Sequence, residues 1–242
     1  MPDRFAARRE KLIRQVRKSA ADALLVTNET NVRYLTGFTG DSTYLLIGPS
    51  VLLLISDGRY TVQLQEECPG IKAHIRTLEQ KLHEAAGEVL RKSRLKSIGF
   101  ESDSVSHALW EFFTEKVKTT EFVALSGTVE ELRQVKDAEE IREIRTAIDQ
   151  AERAFAVLRA SLLPEMTERQ FAHDLEHTMR RFGAERAAFE PIVAVGPRAA
   201  LPHARAGTGR LCEASLLLID WGATSGGGYR SDLTRVLATS KI

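Results

Sequence analysis

Residues 216–236 read LLLIDWGATSGGGYRSDLTRV. Leu216–Ile219 is a short apolar run of strand length. Gly226, Gly227 and Gly228 permit a tight reversal at backbone angles that other residues resist. After them Tyr229, Ser231, Leu233 and Arg235 alternate with Arg230, Asp232, Thr234 and Val236, the pattern of a second strand. A hairpin centred on Gly226 sets Asp220 directly opposite Asp232. Opposed residues of an antiparallel pair have Cβ atoms about 4.5–5.5 Å apart. Two ionised carboxylates that close repel by roughly 3 kcal/mol at an effective dielectric near 20. Leu218, Ile219, Trp221 and Leu233 flank them, which speaks against free solvation. The repulsion then needs a shared proton, a basic neighbour or a divalent cation. The plainer alternative is a surface hairpin with both aspartates in water. The glycines do not read as a phosphate cradle, because no Lys-Ser or Lys-Thr follows and no helix opens after them.

Working outward, the first half of the chain alternates strand-like and helix-like segments. Strands are expected at Ala23–Thr27, Tyr44–Ile47, Val51–Ile55, Ser97–Phe100 and Glu121–Ala124, with Gly48-Pro49-Ser50 as a hairpin turn. Helices are expected at Arg4–Ser19, Thr61–Glu67, Leu78–Ser93 and His107–Val117. This alternation is that of an α/β domain. Ser126-Gly127-Thr128 marks a boundary, giving domains over 1–126 and 127–242. A single long helix is expected from Val129 to Leu162, its apolar stripe formed by Ile141, Ile144, Ile148, Ala151, Phe155 and Leu158. Thr167 and Gln170 form a capping-box pair for the next helix, with Phe171, Leu175, Met179 and Phe182 on one face and Gly183 as its stop.

The chain has 242 residues, with 43% apolar and 28% charged, ordinary values for a globular protein. Lys plus Arg number 34 against 33 Asp plus Glu, so neither nucleic acid nor an anionic membrane is expected as a partner. No apolar run approaches the ~20 residues that span a bilayer. The basic N-terminus lacks the apolar core of a secretory signal and reads as an amphipathic helix, with a transit peptide as the weaker alternative. Cys68 and Cys212 are too few for a disulfide framework, consistent with a reduced, cytoplasmic protein. His173–His177 reads HDLEH, a pattern of inverted zinc proteases. Both histidines, however, lie ~200° from the apolar stripe of their helix, so they are expected in solvent.

Several motifs in order resemble the pita-bread metallopeptidases, the superfamily of aminopeptidase P, prolidase, methionine aminopeptidase and creatinase. IDWGA followed by GYRSDLTR resembles their metal-binding hairpin. Asn31–Gly37 (NVRYLTG) and Asp57-Gly58-Arg59-Tyr60 resemble N-domain motifs of bacterial Xaa-Pro peptidases. Glu131–Ala147 (ELRQVKDAEEIREIRTA) resembles the first helix of the catalytic domain, and Phe189–His203 (FEPIVAVGPRAALPH) its substrate-pocket loop. The resemblance implies an α/β fold with a creatinase-like N-terminal domain and part of a pita-bread domain. It implies hydrolysis of Xaa-Pro bonds, as an aminopeptidase or a dipeptidase, with a proline-containing peptide as substrate and a homodimer when the protein is whole. Asp220 and Asp232 become ligands of two divalent ions, manganese, cobalt or zinc, and His203 contacts the substrate backbone near the scissile bond. Arg33, Asp57, Arg59 and Tyr60 take structural roles, and Tyr229 packs beside the hairpin. The remaining ligands of the family, a His and two Glu, lie further downstream, so the site is expected to be incomplete in this chain and the chain inactive alone. The separation of the two aspartates is also one residue longer than the family pattern. Some pita-bread relatives have lost catalysis and bind peptides or proteins, which makes a non-catalytic binding module the alternative.

Overall fold

The fold is that of a computed structural model, which describes residues 4–239. Residues 1–3, which precede the expected N-terminal helix, and residues 240–242 lie outside the described residues. The chain divides into two compact units, the first ending at Val135 and the second beginning at Lys136.

The first unit runs α1 (Arg4–Lys18), β1 (Ala23–Val26), α2 (Glu29–Thr36), β2 (Tyr44–Gly48), β3 (Val51–Ser56), α3 (Thr61–Glu67), β4 (Lys72–Ile75), α4 (Leu82–Ser93), β5 (Ser97–Glu101), α5 (His107–Lys116), β6 (Glu121–Leu125) and α6 (Thr128–Gln134). Its six strands form one sheet in the order β4-β3-β2-β1-β5-β6. The β1–β2–β3 meander is antiparallel, while β4, β5 and β6 each join a parallel neighbour. Strand β1 is buried on both faces and accordingly reads ALLV without alternation. Leu24, Val26, Leu45 and Ile47 pack with Leu12 and Val16 of α1, and the intervening Ala23, Leu25 and Leu46 pack with Ala85, Leu90 and Phe113 on the other face. Helix α2 was not evident from the sequence. Asn28 caps it, accepting the Thr30 and Asn31 N–H groups, and Gly37 at φ +84° ends it.

The motif Asp57–Tyr60 is structural. Asp57 accepts the Arg59 N–H at 2.9 Å and pairs with the guanidinium groups of Arg59 and Arg76. The Arg59 N–H, and then its side chain, hold the Asp57 carboxyl down at about 2. Tyr60 donates its hydroxyl to Asp41 and meets Phe38 edge-on.

The second unit comprises α7 (Ala138–Ala160), α8 (Glu168–Arg181), β7 (Arg186–Ala187), β8 (Ile192–Val195), β9 (Leu216–Trp221), β10 (Ala223–Thr224) and β11 (Leu233–Ala238). The long helix expected over 129–162 is two helices. Asp137 caps α7 reciprocally with Glu140, so a new helix starts there. Helix α6 belongs to the first unit, where Val129 and Leu132 join its core. The apolar stripe of α7 also differs from expectation. Ile141 is exposed and Ile144 and Ile148 are half-buried, whereas Ala147, Ala151 and Ala154 are fully buried. Small residues are needed on that face because the hairpin approaches α7 closely. Trp221 stacks on Phe155 with ring centroids 4.5 Å apart and donates its indole N–H to Ala151 O at 3.0 Å. Phe171, Leu175 and Met179 of α8 complete this core as their spacing predicts. The three-stranded sheet has the order β11-β9-β8, all antiparallel. No described helix is long and apolar enough to cross a membrane.

Candidate metal centre

Strand β9 alternates cleanly. Leu217, Ile219 and Trp221 point into the core, and Leu216, Leu218 and Asp220 occupy the other face. The register with β11 pairs Leu233 with Trp221 and Thr234 with Asp220. This corrects the expected pairing of Asp220 with Asp232. The bonds from Gly228 N–H to Ser225 O and from Ser225 N–H to Tyr229 O centre the turn on Gly227, one residue later than the glycine run suggested. Asp232 therefore lies across from Gly222, one step before β11 begins. A shift of the centre by one residue moves each partner by two, so both aspartates keep the same face.

Helix α7 fixes the turn. Glu143 accepts the Ser225 hydroxyl at 2.7 Å and the Gly227 N–H at 3.1 Å. A Cβ at Gly227 would stand 2.3 Å from Glu143 Oε2. Tyr229 donates its hydroxyl to Glu140 at 3.0 Å, and the buried Ser231 hydroxyl donates to Ala147 O at 3.0 Å. Gly222 admits no side chain, since its Cβ would come 1.9 Å from Ser231 O. The hairpin is thus bolted to α7 on one side and offers Asp220 and Asp232 on the other.

Burial pushes the Asp220 carboxyl above its ordinary value, the Thr234 hydroxyl at 3.1 Å pulls against that, and the Asp232 carboxylate pushes it up further. No basic side chain of the described residues acts on it. Of the three compensations open to such a pair, the basic neighbour is therefore missing. Two carboxylates on one face, one of them partly desolvated and lacking a counter-charge, fit a hard divalent cation. Among the described residues no group of three or more His, Cys, Asp or Glu side chains is gathered that could hold a metal ion, so the pair would offer two side-chain ligands at most.

No hydrogen bond or ion pair among the described residues joins the other sequence candidates to this pair. His203 is exposed on the segment after β8, and no hydrogen bond or ion pair among the described residues joins it to either aspartate. His173 and His177 are exposed on α8, as their helical phase predicts. Thr234, Glu143 and Ser231 support the pair and were not anticipated. Their only sequence signal is a hydroxyl or carboxylate at a position the apolar periodicity leaves open.

The first unit corresponds to the Creatinase/Prolidase N-terminal domain model over residues 8–135, and residues 142–241 match Metallopeptidase family M24. The chain belongs to the creatinase/prolidase family of M24 metallopeptidases. This M24 chain is 32% identical over 232 residues to the uncharacterized peptidase YqhT of Bacillus subtilis, covering 96% of this chain and 65% of that one. Its fold superimposes on an Xaa-Pro dipeptidase from Bacillus anthracis with a TM-score of 0.90 and 30% identity, over 97% of this chain and 65% of that one. An X-Pro aminopeptidase from Thermotoga maritima gives a TM-score of 0.83 and 34% identity, over 93% and 64%. The M24 chain thus spans about 65% of the length of the relatives it matches. Its architecture is a creatinase-like N-terminal domain followed by part of a pita-bread domain.

Proposed function

We propose that this chain carries the N-terminal domain and the first part of the catalytic domain of a dinuclear-metal hydrolase of Xaa-Pro bonds. The carrying observation is the acidic pair on one face of the hairpin, whose Asp220 is partly desolvated, feels the charge of Asp232 and lacks a basic neighbour. Divalent cations held there would supply Lewis acidity at the scissile carbonyl. Asp220 and Asp232 hold them, with Thr234 orienting Asp220, and His203 donates a hydrogen bond to the peptide backbone. Carboxylate ligation favours manganese over cobalt and zinc. Solved structures similar to this chain include both a dipeptidase and an aminopeptidase, so the reading covers both specificities. It also carries a cytoplasmic, homodimeric whole protein.

Two side chains leave most coordination positions of two cations to water. The 242-residue chain alone should therefore show no measurable turnover of Xaa-Pro dipeptides or longer Xaa-Pro peptides with added manganese, cobalt or zinc. A longer version of the chain that carries a complete ligand set should be active, and Asp232→Ala should abolish that activity. Turnover by the 242-residue chain overturns the ligand count. A whole protein that binds Xaa-Pro peptides without cleaving them replaces the reading with that of a binding module.

A further inference from the structure

We infer that Glu168 is a positioning residue: its buried carboxylate ties together the two ends of the loop that carries His203 and so sets where the imidazole stands. The functional half of this inference rests on the role proposed for His203. The structural half does not.

Glu168 opens α8 and is fully buried. Its Oε1 accepts the N–H of Val195, the last residue of β8, at 2.9 Å. Its Oε2 accepts the N–H of Gly207 at 2.7 Å. Between these two anchors run residues 196–206, which leave the sheet after β8 and carry His203. Backbone bonds from the same helix turn close the base of the loop: Glu168 N–H donates to Gly209 O at 2.9 Å and Arg169 N–H to Gly207 O at 3.0 Å. Arg198, inside the loop, brings its Nε to 3.4 Å from Glu168 Oε1 and donates from Nη2 to Arg205 O. A side chain at position 207 would crowd this arrangement, because its Cβ would stand 3.1 Å from Glu168 Oε2.

Helix capping does not account for this carboxylate. Thr167 already caps α8, accepting the Gln170 N–H, with the Gln170 amide reaching back to the Thr167 N–H. The Glu168 side chain turns away from the helix and spends both oxygens on the loop. A buried carboxylate is costly unless charge-assisted hydrogen bonds offset its lost hydration. Here two backbone N–H groups and a guanidinium do so. His203 makes no hydrogen bond or ion pair of its own among the described residues, so the loop backbone is what places it.

Glutamine has the same shape but one acceptor oxygen and one donor NH2. In Glu168→Gln, either the Val195 or the Gly207 N–H must face a donor. The first test is amide hydrogen exchange on the 242-residue chain. In the unaltered chain the Gly207 amide should exchange at least about tenfold more slowly than that of its exposed neighbour Thr208. Glu168→Gln should speed exchange at Val195 or Gly207 by about tenfold or more and leave Ile219 in β9 unchanged. Equal rates at Gly207 and Thr208 in the unaltered chain, or unchanged protection of both amides in the variant, overturn the clamp. The first of these comparisons needs no variant, so a misfolded Glu168→Gln does not remove the test.

The second test asks whether the clamp acts through His203. In an active, longer version of the chain, Glu168→Gln should lower kcat/KM on an Xaa-Pro peptide about tenfold, and should lower it no further in a His203→Ala background. Equal losses in both backgrounds overturn the coupling. If His203→Ala leaves turnover intact, the role of His203 fails and the functional half falls with it, while the exchange rates still decide the clamp.

Discussion

Asp220 stands on a strand whose opposite face is core, and in the fold its neutral form is favoured relative to free aspartate. Burial and the charge of Asp232 both act in that direction. The sign follows from linkage: a carboxyl with a raised folded value costs stability once the pH exceeds its unfolded value, about 3.9. Without divalent cations, Asp220→Asn should therefore raise the thermal midpoint at pH 7, by roughly 1–3 °C, a small shift because most of the carboxyl is solvent-screened. The gain should vanish near pH 3, where both side chains are neutral. A lower midpoint at pH 7 in a calorimetric scan would show that Asp220 has a counter-charge. The pair was legible in the sequence because two aspartates flank a glycine run amid apolar residues. Its register was not, because the choice of Gly227 over Gly226 as the centre depends on Glu143, 84 residues away along the chain from Gly227. Glu168 was invisible for a related reason: an acid after a capping threonine reads as a first-turn helix stabiliser until its long-range partners are seen.

At the scale of elements, the hairpin and α7 form one unit of packing. Trp221 is fully buried and satisfies its N–H on the α7 backbone. Trp221→Ala should cost about 3–5 kcal/mol by the usual cost of emptying an aromatic core site. Gly227→Ala adds a single methyl, yet it must displace the Glu143 carboxylate and should cost about 1–3 kcal/mol. Urea denaturation followed by far-ultraviolet circular dichroism measures both, and a neutral Gly227→Ala would mean the turn is not docked on α7. Most strands and helices were legible because apolar periodicity and glycine punctuation agree with the tertiary fold, whereas the polar β4 (Lys72–Ile75) carries no such signal. The break between α6 and α7 was not, since the charged amphipathic pattern runs through Val135 and Lys136 without a glycine or proline. The isoleucine stripe misled in the opposite sense. Bulk suggested a core face, but a closely approaching hairpin selects alanine, and the isoleucines ride at its edge.

At the scale of the whole molecule, the face of the second unit that bears the acidic pair is also apolar. Leu216 and Val236 are about half exposed there, beside Leu218, and β11 ends its sheet. Such a face with an open strand edge favours association. The 242-residue chain should bind a hydrophobic dye strongly or self-associate, and clean monomeric light scattering without dye binding would contradict this. Each unit nonetheless has a core of its own, and the position of their junction matters for how such genes are cut and recombined. A segment ending at codon 126 would encode the first sheet but discard Val129, the Leu132 carbonyl that receives the Tyr34 hydroxyl, and the Glu130 and Arg133 side chains that hold Asn31. A segment ending at codon 135 carries all four. The nine residues between look like the start of a new domain on paper, yet in any shuffled or transplanted gene they must travel with the old one.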